Sequence, residues 1–282
     1  MRERAQHFDP RQTMRRSGFE VFHYREPKPD GVEVHHHDFY EIYFLLDGTV
    51  SYWIEGQLQH VKPGELLLIN PMVLHRPVVS SESNLYERIV LWVDKDYLRD
   101  LSSDGADLTA CFGGDSTLLL KPPSGQRVEL SALLSLLVRE SYAGDWGAER
   151  CAAGVFLQFM VQLNRLARNA DSERDRREDA SPLVSQVLTY IDEHYSEDLS
   201  LENLAGRFYV SKYHLSHAFS REVGTGLYRY ILLKRLLTAH RLLGEGVPAG
   251  EVCSRCGFRD YTNFYRAFKA EYGVSPRTLF DR

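Results

Sequence analysis

The chain has 282 residues, 43% apolar and 26% charged, a composition ordinary for a soluble globular protein of about two domains. No stretch approaches the roughly 18 apolar residues of a membrane helix, and no apolar segment follows Met1-Arg2-Glu3-Arg4. A membrane protein and a secreted one are therefore not expected, and a cytoplasmic one is. The net charge of −5 is uneven: from Leu183 onward 13 Lys and Arg stand against 11 Asp and Glu, while the rest carries 21 against 28. The acidic front half would repel phosphate and the mildly basic back half would not.

Residues 1–17 read as a loose polar and basic arm. From Gly18 to about Val93 short strands alternate with turn signals. Tyr40 to Leu46, Val50 to Ile54 and Glu65 to Ile69 are separated by Asp47-Gly48, Glu55-Gly56 and Pro63-Gly64. Many short strands at this spacing predict a barrel or sandwich.

Within this region lies His35-His36-His37-Asp38-Phe39-Tyr40-Glu41. On a strand, His35, His37 and Glu41 would share one face and His36 would turn to solvent. His75, after Asn70-Pro71, is a fourth candidate. Three imidazoles and a carboxylate form a reasonable ligand set for one divalent first-row metal, or a polar pocket that hydrogen-bonds an organic molecule. Tyr24, Tyr43, Trp53 and Trp92 could supply stacking faces to a sugar if they point inward. Glu33 and Arg88 are the charged neighbours, and strand parity leaves their direction open.

The spacing His35-x-His37-x3-Glu41-x6-Gly48 resembles the first motif of the cupin barrel, over about residues 18–93, with Pro71 and His75 only loosely matching the second. The resemblance implies His35, His37, Glu41 and His75 as metal ligands where cupins are enzymes. Where cupins are regulators it implies a sensor for a small molecule.

From about Arg127 the period changes. Val128, Leu130, Leu133, Leu134, Leu136 and Leu137 fit one helix; Val155, Phe156, Phe159, Met160 and Leu163 fit another. This leucine-rich stripe is expected either to pair two protomers or to cap the barrel. Residues 169–182 are charged, cannot bury apolar surface, and read as a linker between residues 1–168 and 183–282.

The last hundred residues contain a near-repeat. Ser211 to Gly224 and Asp260 to Gly273 each present a helix N-cap residue, an apolar residue four positions on, an Ala-Phe pair, then Glu and Gly, at an offset of 49. Each copy follows a short helix, one beginning near Leu201 with Ser200 as cap, one at Val247 with Pro248 in its first turn. The short helices align at an offset of 48, so one extra residue sits in the second turn. Tyr230 to Leu243 reads as a connecting helix. Two helix-turn-helix units on one connector would reach successive turns of a major groove, about 34 Å apart. The exposed faces carry Tyr213, Ser216 and His217, then Tyr261, Thr262, Tyr265 and Arg266, groups that stack on or bond to base edges. Lys212 and Lys269 are placed for phosphates. Cys253-Ser-Arg-Cys256 lacks a second cysteine pair or a histidine cluster, and Cys253 stands in the slot of Ala205, a small buried position. With Cys111 and Cys151 far off in sequence, no disulfide framework is expected.

The pattern Arg235-Leu236-x2-Ala239, Gly257-Phe258-x5-Phe264-x3-Phe268-Lys269, Gly273-x-Ser275-Pro276 resembles the AraC/XylS family of bacterial transcription regulators, over about residues 185–280. Leu279-Phe280 stands where that family often has Tyr-Arg. The resemblance implies an α+β protein: a cupin-like sensor and dimerisation domain, then an all-α reader of double-stranded DNA. It also implies a small-molecule effector, a homodimer, and a contact with RNA polymerase. The alternatives are a metal-responsive regulator and a metal-dependent cupin enzyme with a DNA-binding tail.

Overall fold

The structure is a computed structural model that describes residues 12–26, 32–80, 85–114, 117–169 and 178–280. Most of the expected arm and of the charged linker lies outside the described residues. The chain divides into two compact units, Met1–Glu178 and Asp179–Arg282.

The first unit is built from two antiparallel sheets. One has the order β1 (Phe19–Glu26), β7 (Tyr86–Val93), β2 (Tyr40–Asp47), β5 (Leu66–Ile69), β8 (Thr117–Leu120). The other contains β6 (His75–Val79), β3 (Val50–Ile54) and β4 (Gln57–Val61) in that order. Glu55 and Gly56, at φ 46° and 98°, make the two-residue turn that joins β3 to β4. A short helix α1 (Lys95–Asp100) follows β7, capped by the Asp94 side chain, which accepts from the Tyr97 amide.

The larger sheet is apolar on both faces, which is why its strands read as unbroken hydrophobic runs. Ile42, Phe44, Leu66, Leu68, Ile89 and Leu91 enter one core; Tyr43, Leu45, Leu67, Ile69, Val90 and Trp92 enter the other. The second set faces the smaller sheet and forms the barrel interior. The first set is covered by α2 (Ser124–Tyr142) and α3 (Ala148–Asn169) through Leu130, Leu134, Leu137, Phe156, Phe159 and Leu163. The leucine-rich stripe is thus used inside the protomer as a cover for the sheet. What it leaves exposed is smaller: Val128 and Leu157 on the helices, and Tyr142 and Trp146 where one helix leads to the next.

The second unit is helical: α4 (Pro182–His194), α5 (Leu201–Arg207), α6 (Lys212–Val223), α7 (Leu227–Gly244), α8 (Ala249–Arg255), α9 (Tyr261–Tyr272) and α10 (Pro276–Phe280). Ser200, Ser211 and Asp260 cap α5, α6 and α9 by accepting from the amides of Asn203, His214 and Asn263. Pro248 is the residue before α8 rather than a position within it. The Arg235 guanidinium donates to the carbonyls of Tyr195 and Glu197, which ties the chain end of α4 to α7. Leu236, Ala239 and Leu243 of α7 share a core with Val252, Cys253, Phe264 and Phe268.

The two hairpins repeat bond for bond until one residue intervenes. The Val210 amide donates to the Ala205 carbonyl, and the Phe258 amide to that of Cys253, a spacing of 48 in both partners. The N-caps Ser211 and Asp260 are 49 apart, so the extra residue is Arg259.

Candidate ligand site and DNA interface

His35 forms an isolated bridge with His75, the two backbones exchanging both hydrogen bonds at 3.0–3.1 Å. The chain then turns through residues 36–39 and becomes extended only at Tyr40. Strand alternation therefore does not govern the histidines. His36 is buried, at 8% exposure, and not turned to solvent.

The expected cluster forms by another route. His37 Nε2 lies 3.4 Å from Glu41 Oε2, and His37, Glu41 and His75 bring ligand atoms within 4.8 Å of one another. His35 sits beside them, its ring 4.4 Å from that of His75, but is partly exposed and outside that set of three. Each ring has its Nδ1 committed at 2.9 Å: His35 donates to the Glu33 carbonyl, His37 to that of Phe39, His75 to that of Val73. A neutral imidazole held in this way presents an Nε2 lone pair. His75 Nε2 is buried with no hydrogen-bond partner. His37 Nε2 faces a carboxylate oxygen of Glu41, an arrangement that calls for a proton on that nitrogen or a cation between the two.

The electrostatics suit a cation. Burial lowers the His35 pKa to about 4 and takes that of His75 well below the ordinary value, so both are neutral at pH 7. Burial alone would raise Glu41, but its bond to His37 and the surrounding imidazoles hold its carboxyl at about 2. The Trp92 indole donates to Glu41 Oε2 at 2.9 Å and orients that carboxylate. A buried, oriented set of two imidazoles and one carboxylate fits a divalent first-row metal.

His35, Glu41 and His75 line a cavity of about 40 Å³ with Gln12, Tyr24, Tyr52, Tyr86, Arg88, Val90 and Trp92. That is room for roughly three waters in all, or for an ion and a few light atoms, against about 300–1,000 Å³ for pockets that hold drug-sized ligands. A sugar would require the barrel to open. Tyr24 and Trp92 line this cavity as expected. Tyr43 and Trp53 do not: Tyr43 is buried in the barrel interior with its hydroxyl donating to that of Tyr86, and Trp53, next to the inward-facing Tyr52 and Ile54 on β3, is buried on the other face of that strand. Tyr52 and Tyr86 stand at the cavity wall instead. Arg88 also faces inward, with its guanidinium 4.1 Å from the Tyr86 ring, 4.8 Å from the Tyr24 ring, and paired to Glu26 at 2.7 Å. Parity along β7 carries the signal for Tyr86, Arg88, Val90 and Trp92 once one of the four is placed.

In the second unit the expected reading faces are open. Tyr213, His217, Tyr261, Thr262 and Arg266 are exposed, and Ser216 and Tyr265 are half-buried at the edge of the same helices. Lys212 and Lys269 are exposed as well, Lys212 forming an ion pair with Glu202 that phosphate could replace. Arg259, in the inserted position before α9, is exposed and 3.9 Å from Asp198, a weak tie for a cation beside that helix. The offsets between the two copies place the insertion in the turn but do not single out its residue. Cys253 and Cys256 are buried in the second hairpin, and burial pushes the Cys256 thiol up to about 11, so both pack as small apolar groups.

Two families of known proteins match the chain. The AraC-like ligand binding domain family matches residues 17–160, and a helix-turn-helix domain family matches residues 204–282. The chain is 27% identical over 254 residues to the HTH-type transcriptional activator RhaS of Citrobacter koseri, covering 87% of this chain and 86% of that protein. It is 28% identical over 249 residues to RhaS of Salmonella paratyphi A, covering 87% and 86%. Among solved structures, ToxT from Vibrio cholerae aligns over 94% of this chain and 98% of its own, at 13% identity and a TM-score of 0.36. No helix among the described residues is long and apolar enough to cross a membrane.

Proposed function

Because the chain belongs to the AraC-like ligand-binding domain family and carries a helix-turn-helix domain behind it, we propose that it is a transcription regulator whose DNA affinity is set by the occupant of the His37–Glu41–His75 site. The observation that carries this is the convergence of two locked imidazoles and an oriented carboxylate, of which His75 and Glu41 line a small cavity. In a protein with two DNA-reading helices, such a cluster has more use as a sensor than as support. The occupant favours one of two states of the chain, and DNA prefers one of them, so the two binding events are coupled.

Two readings of the occupant differ in chemistry. A divalent transition metal is favoured by the imidazole nitrogen set against a carboxylate and by the small cavity. An organic effector, a sugar among them, would use the same histidines as hydrogen-bond partners after the barrel opens. Elemental analysis of untagged full-length protein, prepared without chelator or metal resin, separates them. The metal reading expects close to one zinc, iron, nickel or manganese per chain, lost in His37→Ala/His75→Ala. A content well below one sinks it and leaves the organic effector. Turnover by the metal-loaded barrel would favour a cupin enzyme instead.

The regulator acts in the cytoplasm as a homodimer and contacts RNA polymerase. The apolar groups still exposed on the sensor unit, Val128, Leu157 and Trp146, support a protein contact there. A monomer by sedimentation at micromolar concentration is the result that opposes the dimer.

A further inference from the structure

Glu41 and His75 of the cluster line the same cavity as Arg88, and we infer that the barrel binds a small carboxylate of two or three carbons together with its metal, between the cluster and Arg88. The inference rests on the metal reading of the site and adds to it a second ligand.

Arg88 is 3% exposed on an inward-facing position of β7. A guanidinium is costly to bury, and this one is held stiffly, between the Tyr24 and Tyr86 rings and against Glu26. Arg88 does not belong to the metal cluster, and its ion-pair partner Glu26 is itself partly exposed at the end of β1. A rigid planar donor opening onto a cavity is a carboxylate receptor by geometry.

Charge supports the same reading. A divalent ion held by His37, Glu41 and His75 would add two positive charges to a cavity that already holds the Arg88 guanidinium, and a monoanion between them would offset part of that charge. Anion binding is thus expected only in the metal-loaded protein. The volume, about 40 Å³, sets the size: acetate or a near relative, with Tyr52, Tyr86 and Trp92 as walls.

The test uses full-length protein and follows tryptophan fluorescence, since Trp92 lines the cavity. Zinc-loaded protein is titrated with acetate and with acetamide, a neutral molecule of the same shape, and metal-free protein with acetate. Acetate is expected to bind the zinc form at least about tenfold more tightly than acetamide does, and the metal-free form not at all. Arg88→Met should lose at least about tenfold in acetate affinity with zinc content unchanged. Glu26→Gln removes a competing carboxylate and should gain several-fold, and it carries the test if Arg88→Met fails to fold. Equal binding of acetate and acetamide, acetate binding without zinc, or weaker binding by Glu26→Gln overturns the inference. Zinc held at one per chain with no acetate response ends this inference alone. Protein that holds no zinc ends the metal reading and this inference with it.

Discussion

His35 and His75 give the ligand site a defined response to acid. Both are held neutral by burial, reinforced by the neighbouring imidazoles and opposed by Glu41, with the His35 pKa at about 4 in the folded protein against an ordinary value of 6.5. Between those values the unfolded chain binds more protons than the folded one, so stability rises with pH across the window and falls as acid is added. The sensor unit is expected to lose melting temperature between about pH 6.5 and 4. Glu41 adds a further loss only below about 4.5, its ordinary value. A melting temperature that is flat or rises as pH drops from about 7 to 5 contradicts the placement of these rings. The histidine spacing was readable because four polar groups so close in sequence have few bland uses. Their directions were not, because the chain between His35 and Tyr40 is irregular, with a bend at residues 38–39, and strand alternation does not run through it. Likewise Tyr43 and Tyr52 could not be told apart as core and wall. Both are buried aromatics on strands, and which of them touches a void depends on the facing sheet.

A second residue-scale contrast lies in the two turns. Gly257 adopts φ 75°, and a Cβ there would lie 2.5 Å from the Ser196 carbonyl oxygen. Gly257→Ala should destabilise the DNA-reading unit by about 1–3 kcal/mol, seen as a lower denaturation midpoint. The equivalent position in the first hairpin is Tyr209, at φ 55° and 95% exposed. Tyr209→Gly removes that strain without removing a buried contact and should leave stability unchanged or raised by up to about 1 kcal/mol.

At the scale of elements, α9, proposed as a reading helix, stands on apolar anchors. Phe264 and Phe268 are fully buried against α7 and α8. Phe264→Ala should cost about 3–5 kcal/mol of stability and abolish specific DNA binding with it. On the opposite face, Arg266→Ala should cost about 1–3 kcal/mol at one base position and relax specificity there, with stability unchanged. Lys269→Ala should weaken all sequences alike and flatten the dependence of affinity on salt. If Arg266→Ala binds specific and random DNA in the original ratio, that helix face does not read bases. These helices were legible in full because caps, apolar stripe and terminal glycine agree at each end, and the copy at an offset of 49 doubles the signal. The use of α2 and α3 was less legible. A leucine stripe looks the same whether it meets a second protomer or the sheet beneath it; only the apolar outer face of that sheet, Ile42, Phe44 and Leu91, decides for the latter.

At the scale of the whole molecule, a sensor with a buried polar cluster and a reader with two open helix faces are joined in one chain. The charged stretch 169–182 reads as a linker on composition alone, and the chain divides into its two compact units between Glu178 and Asp179. The identity of the occupant was not visible, because the same four residues serve an ion or a hydroxylated ligand. What distinguishes them is the volume left over and the tautomer set by three backbone carbonyls, and both emerge only from tertiary packing. The most direct test of the central claim is the affinity of full-length protein for a duplex selected from random sequence. It should be measured at fixed salt with the His37–Glu41–His75 site metal-loaded and stripped. Coupling of about 1–3 kcal/mol, a change of about 5- to 150-fold that disappears in His37→Ala/His75→Ala, is the expected result. Equal affinity in the two states, for protein shown to gain and lose one metal per chain, would contradict it.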